Sequence, residues 1–116
     1  MFGAPRGSRT HRGIDLACYA GSKVFCPVSG VFTKYGYPYG DDLSYRYVQI
    51  TDNDGRDHRF FYVESLSTIG DYIEAGEVIG RVQNIATRYP NMTQHVHYEV
   101  RANSKFVDPL GFIDWS

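Results

Sequence analysis

Long apolar runs are missing from this chain. None approaches the roughly 20 residues that cross a bilayer as a helix, so a helical membrane span is excluded. An excess of either charge is missing too. Twelve Lys and Arg against 13 Asp and Glu leave a net charge of −1, which removes the electrostatic case for nucleic acid or an anionic membrane surface as partner. No window shows helical periodicity longer than two turns, and there is no internal repeat, low-complexity tract or linker. The first residues lack an apolar leader, as expected of a mature or trimmed chain. Cysteine is scarce, at two residues.

What remains points to β structure. A length of 116 residues fits a single domain with one core, expected to cover residues 1–116. The chain is rich in tyrosine (10) and glycine (12), and its β-branched residues fall in short runs. Strands are expected over 15–18, 23–26, 30–35, 45–51, 58–63 and 94–101. Asp52-Asn53-Asp54-Gly55 is a hairpin signal. Gly70 to Gly80 reads as a β-turn-β corner with glycines at the bends. The composition of 36–44 and 83–94 marks loops, the second with room for one helical turn around 85–89. Short strands joined by turns predict an all-β domain with a compact antiparallel, sheet- or barrel-like core.

Cys18 and Cys26 have seven residues between them, with Ala20-Gly21-Ser22 as a turn. That spacing suits a disulfide across a hairpin and an oxidising compartment; two buried thiols are the alternative. Asn91-Met92-Thr93 matches the N-glycosylation triplet, which also arises by chance.

The chain has four histidines, and three of them form a pattern with an acid. His95 and His97 are two apart in an alternating stretch, so both imidazoles aim to one face of a strand. Far upstream, His11 and Asp15 frame a glycine. Two or three imidazoles with a carboxylate make the usual ligand set of a zinc ion that keeps one position open. The fourth histidine, His58, reads as a solvated strand residue near a hairpin.

The ordered blocks His11-x-x-x-Asp15, Gly21-Ser-Lys-Val, Pro27-Val-Ser-Gly30, Gly76-Glu-Val-Ile-Gly80 and His95-x-His97-x-Glu99-Val resemble the lysostaphin-type zinc endopeptidases over about residues 3–113. The loop from Gly80 to His95 lacks the Gly/Ser/Thr-rich stretch of the bacterial enzymes. Its length, Tyr89-Pro90, Phe61-Tyr62 and Cys18 are similar to the chemotaxin 2-like branch of that fold, whose members are secreted, disulfide-bearing and zinc-binding. The resemblance implies a groove over a zinc ion held by His11, Asp15 and His97. His95 would stand beside the metal, where the peptidases use it for proton transfer and oxyanion stabilisation.

Those peptidases need one more histidine, in a Tyr-x-His-Leu block. The matching block here is Tyr62-Val63-Glu64-Ser65-Leu66, so Glu64 stands where the histidine belongs. His58 shares the expected strand and its parity but lies six residues away, roughly 20 Å at the strand rise, which is too far to substitute. A carboxylate at Glu64 offers no N–H to an oxyanion; its ordinary reading is an exposed charge at a strand end. The expectation is a secreted zinc-binding protein without efficient catalysis, acting in extracellular signalling or recognition. Its partner would be a protein receptor or a peptide or glycan ligand. The alternative is an active zinc metalloendopeptidase that cleaves glycine-containing peptide or peptidoglycan cross-links. Tyr19, Tyr35, Tyr37, Tyr39, Tyr45 and Tyr47 are candidates for an aromatic binding surface, though a Tyr-rich sheet packing its own edges accounts for them as well.

Overall fold

A computed structural model describes residues 13–85 and 94–112 of the chain. The expected helical turn at 85–89 (apart from Ile85), the Asn91 triplet and His11 lie outside the described residues.

The chain is built from short strands: β1 (Ile14–Ala17), β2 (Lys23–Phe25), β3 (Gly30–Gly36), β4 (Tyr47–Asp52), β5 (Asp57–Phe61), β6 (Val63–Ser65), β7 (Tyr72–Ile73), β8 (Val78–Val82), β9 (His95–Ala102) and β10 (Lys105–Val107). One turn of 3-10 helix, Pro109–Phe112, comes after β10. Every pairing is antiparallel. Seven strands form the larger sheet in the order β1-β9-β5-β4-β3-β7, with β10 sharing with β1 the outer edge of β9. The smaller sheet is β2-β8-β6. Both sheets are open, so the all-β, antiparallel expectation holds without closure into a barrel. Among the described residues no helix is long and apolar enough to cross a membrane.

Alternation along β9 and β5 decides which face is which. Val96, Tyr98 and Val100 of β9 and Phe60 of β5 turn inward. They pack with Leu16, Phe32 and Ile50 and with Val24, Val63 and Ile79 of the smaller sheet into one core. Burying a side chain of this size stabilises the fold by about 1.5–3 kcal/mol each. The alternate residues of β9, His95, His97, Glu99 and Arg101, therefore share the opposite face.

The hairpin between β4 and β5 forms where its turn residues place it. Asp52 Oδ1 accepts the backbone N–H groups of Asp54 (2.9 Å) and Arg56 (3.0 Å), and Gly55 takes the positive φ of 82° that this turn requires.

Three expectations fail here. The strand expected over 58–63 breaks at Tyr62, whose φ of 69° is left-handed. The break sends β5 into the larger sheet and β6 into the smaller one, so His58 and Glu64 share neither strand nor face. The Tyr62 backbone is held from both sides: its N–H donates to Arg46 O and its carbonyl accepts from Gln83 N, each at 2.8 Å. His58 is not solvated. It is fully buried, because its parity on β5 is that of Phe60 and it faces the core. Cys18 and Cys26 are free thiols with separate partners, Leu16 O and Val28 O, and are not bridged. Burial pushes both thiols up to about 11, which keeps them protonated and unreactive.

Candidate metal centre

The site is set by the register of β1 against β9. Asp15 lies directly opposite His97 and Ala17 opposite His95, so the carboxylate reaches both imidazoles. His97 Nδ1 is 2.7 Å from Asp15 Oδ1. His95 Nε2 is 3.7 Å from the same oxygen, an electrostatic contact too long for a hydrogen bond. The parity of the His-x-His pair is thus as expected, and three of the four residues singled out from the pattern meet at one point. The fourth, His11, lies outside the described residues.

A further participant, Glu99, was not among the candidates. Its Oε1 is 3.2 Å from His97 Nε2, and its side chain is nearly buried. The signal was present in the alternation: residue 99 is the next on the histidine face after 97. His97 therefore sits between two carboxylates. Burial works against the charged imidazole, but the hydrogen bonds to Asp15 and Glu99 outweigh it and push His97 up to about 9.

This arrangement fits a zinc ion in the chemistry of its donors. Asp15 Oδ1 and His97 Nδ1, in contact with each other, are a carboxylate oxygen and an imidazole nitrogen on one spot. Glu99 behind Nε2 fixes the ring and its tautomer, as carboxylates do behind zinc-bound histidines. Among the described residues no group of three or more His, Cys, Asp or Glu is placed to hold a metal, so two donors are defined there.

His95 is buried against the edge of the Tyr62 ring, with centroids 5.4 Å apart. The Tyr62 hydroxyl is 2.7 Å from that of Tyr39, and Tyr45 packs edge-on against both rings. Tyr39 is brought there by a loop pinned at Arg46. That guanidinium lies between the rings of Tyr35 and Tyr37 and donates to the carbonyls of Tyr35 and Gly36. The expected tyrosine surface thus divides. Tyr45 and Tyr47 are buried packing residues, Tyr35 and Tyr37 clasp an arginine, and Tyr19 stands in solvent. Glu64, on β6, is exposed, lies opposite Arg81 of β8, and makes no side-chain hydrogen bond or ion pair among the described residues.

An antiparallel β-sheet that presents a histidine pair and an aspartate across two neighbouring strands defines a metallopeptidase-type domain. The chain belongs to peptidase family M23, whose model matches residues 9–109. It is similar to leukocyte cell-derived chemotaxin-2 of Mus musculus, with 28% identity over 97% of this chain and 72% of that protein. The Bos taurus chemotaxin-2 matches over the same shares at 26%. Among solved structures, the catalytic domain of the antimicrobial peptidase lysostaphin from Staphylococcus simulans superposes with a TM-score of 0.68 and 22% identity, over 96% of this chain and 86% of that one. The chemotaxin-like M23 resemblance read from the motif blocks is therefore upheld.

Proposed function

We propose that this M23 domain is a secreted zinc-binding protein that recognises a partner without cutting it, as the likeness to chemotaxin-2 suggests. Zinc would be held by Asp15 and His97 together with His11. A bound zinc acidifies its water and polarises a carbonyl. The residues of this chain then decide whether a peptide bond is cut. Asp15 and Glu99 orient His97, His95 stands ready beside Asp15, and the second proton-handling histidine is replaced.

The observation that carries the reading is Glu64. It occupies the position two residues after Tyr62 and projects into solvent from the smaller sheet. No imidazole among the described residues lies where it can complement His95 across the metal centre, because His58 is on the core face. The test has two measurements. Metal analysis of the purified chain is expected to give stoichiometric zinc, lost in His97→Ala. Incubation of the zinc-loaded chain with pentaglycine or peptidoglycan is expected to give no cleavage. Zinc-dependent cleavage abolished by His95→Ala would establish the endopeptidase reading instead.

A further inference from the structure

On the metal-centre face of β9, two residues beyond Glu99, stands Arg101, a charged side chain that the site as described does not use. Its Nε is buried and has no hydrogen-bond partner, the one side-chain nitrogen or oxygen in that state among the described residues. The guanidinium is held in place, with its carbon 4.7 Å from the centroid of Phe106, which lies opposite on β10. Asp57 lies opposite on the other side, on β5, yet its Oδ1 accepts the Thr51 hydroxyl at 2.7 Å and it makes no ion pair with Arg101 among the described residues. A buried N–H without an acceptor is uncommon in folded proteins and calls for a partner. A planar fork fixed against an aromatic ring and lacking acceptors of its own matches a carboxylate in two-pronged geometry.

We propose that Arg101 anchors the C-terminal carboxylate of a short extended peptide that runs along this face of the sheet, with its other end at the Asp15–His97 pair. Four residues separate His97 from Arg101 on one strand, about 13 Å at the strand rise. An extended peptide covers 3.3–3.6 Å per residue, so about four residues span the gap. The path crosses Glu99 and, beside it on β5, Arg59, whose Nε donates to Gln49 Oε1 at 2.8 Å and whose guanidinium lies over Tyr47. Arg59 has committed its Nε; Arg101 has not, which singles out Arg101 as the anchor.

The inference deepens the recognition role proposed above and rests on it for the ligand's other end. The experiment uses the whole 116-residue chain, zinc-loaded, and titrates it calorimetrically with tetra-alanine as the free acid and as its C-terminal amide. The free acid is expected to bind about tenfold more tightly than the amide, the scale of a charge-assisted hydrogen-bonded pair. Arg101→Gln should abolish that difference, and Arg101→Lys should restore part of it, since it keeps the charge and loses the fork. Zinc content and thermal midpoint of each variant report whether the metal centre and fold survive. Equal binding of acid and amide, a difference that persists in Arg101→Gln, or no binding of either peptide to zinc-loaded protein overturns the inference. None of these outcomes touches the zinc assignment, whose failure shows separately as an absence of metal.

Discussion

Two histidine–aspartate pairs sit on opposite faces of the same sheet, and they behave in opposite ways. On the outer face His97 meets Asp15 at 2.7 Å; on the core face His58 Nε2 meets Asp52 Oδ2 at 2.8 Å. The distances are the same within 0.1 Å, so distance cannot be what separates them. His97 is partly open to solvent and has a second carboxylate, Glu99, on its other nitrogen, so its charged form is favoured. His58 is fully buried, and its other nitrogen, Nδ1, faces the Tyr98 hydroxyl at 2.7 Å. Burial outweighs the Asp52 hydrogen bond and lowers His58 from its ordinary value. The neutral ring donates through Nε2 to Asp52 and accepts from Tyr98 at Nδ1. Asp52 stays ionised: burial opposes its charge, but hydrogen bonds from His58, Arg56 and the turn N–H groups bring it down to about 2. One pair is poised for a metal and the other is a structural tie between the β4–β5 hairpin and the ligand-bearing strand β9. The second partner of each imidazole, carboxylate or phenol, makes the difference.

The core-face pair is the one whose loss the fold should feel most. Asp52→Ala strips His58 and two turn N–H groups of their acceptor, and breaking a buried pair from one side costs about 3–5 kcal/mol. Urea denaturation is expected to show that loss, and a change below about 1 kcal/mol would dissolve the contrast between the faces. On the outer face the large effect is on metal rather than stability. Glu99→Gln is expected to weaken zinc binding about 10–100-fold, the usual consequence of changing the group behind a ligating histidine. Competition with a chromogenic chelator measures it, and unchanged affinity would remove Glu99 from the site.

The pH dependence sets the two pairs against each other. His58 is lowered in the folded state, so its contribution is complete above about 6.5 and is lost as pH falls below that value. The His97 value is raised, to about 9, so in metal-free protein its contribution is complete below about 6.5 and is lost as pH rises through 9. Metal-free protein should therefore be most stable near pH 6.5, and His97→Gln should flatten only the alkaline limb. Thermal midpoints from pH 4 to 10 test this. A His97→Gln profile that loses its acid limb instead would reverse the assignment. The smallest effect is expected at Glu64. It is exposed and makes no side-chain hydrogen bond or ion pair among the described residues, so Glu64→Ala should change stability by no more than about 0.5 kcal/mol. A larger loss in the same denaturation assay would mean that Glu64 supports the smaller sheet.

Much of the architecture was legible along the chain because its signals are local. The alternation of His95 to Arg101 sets which residues share a face, and Asp52 to Gly55 makes its own turn. The errors arose where the outcome depends on distant chain. His58 reads as a polar residue near a hairpin; that its face is the core face results from the packing of β5 between β4 and β9. Tyr62 carries no sequence mark of a left-handed residue. It is held so by Arg46 and Gln83, from strands and loops far along the chain. Cys18 and Cys26 have a spacing that suits a bridge, and their separate backbone acceptors decided otherwise.

By itself the sequence determined the family, the all-β class and the convergence of Asp15, His95 and His97, because strand parity and ordered motif blocks are written residue by residue. Tertiary structure alone decided which histidine is charged and which neutral, that Glu99 completes the environment of His97, and that Arg101 is left without an acceptor. These are properties of burial and of cross-strand partners. They come into being only when segments as far apart as residues 15 and 97 are brought into one sheet.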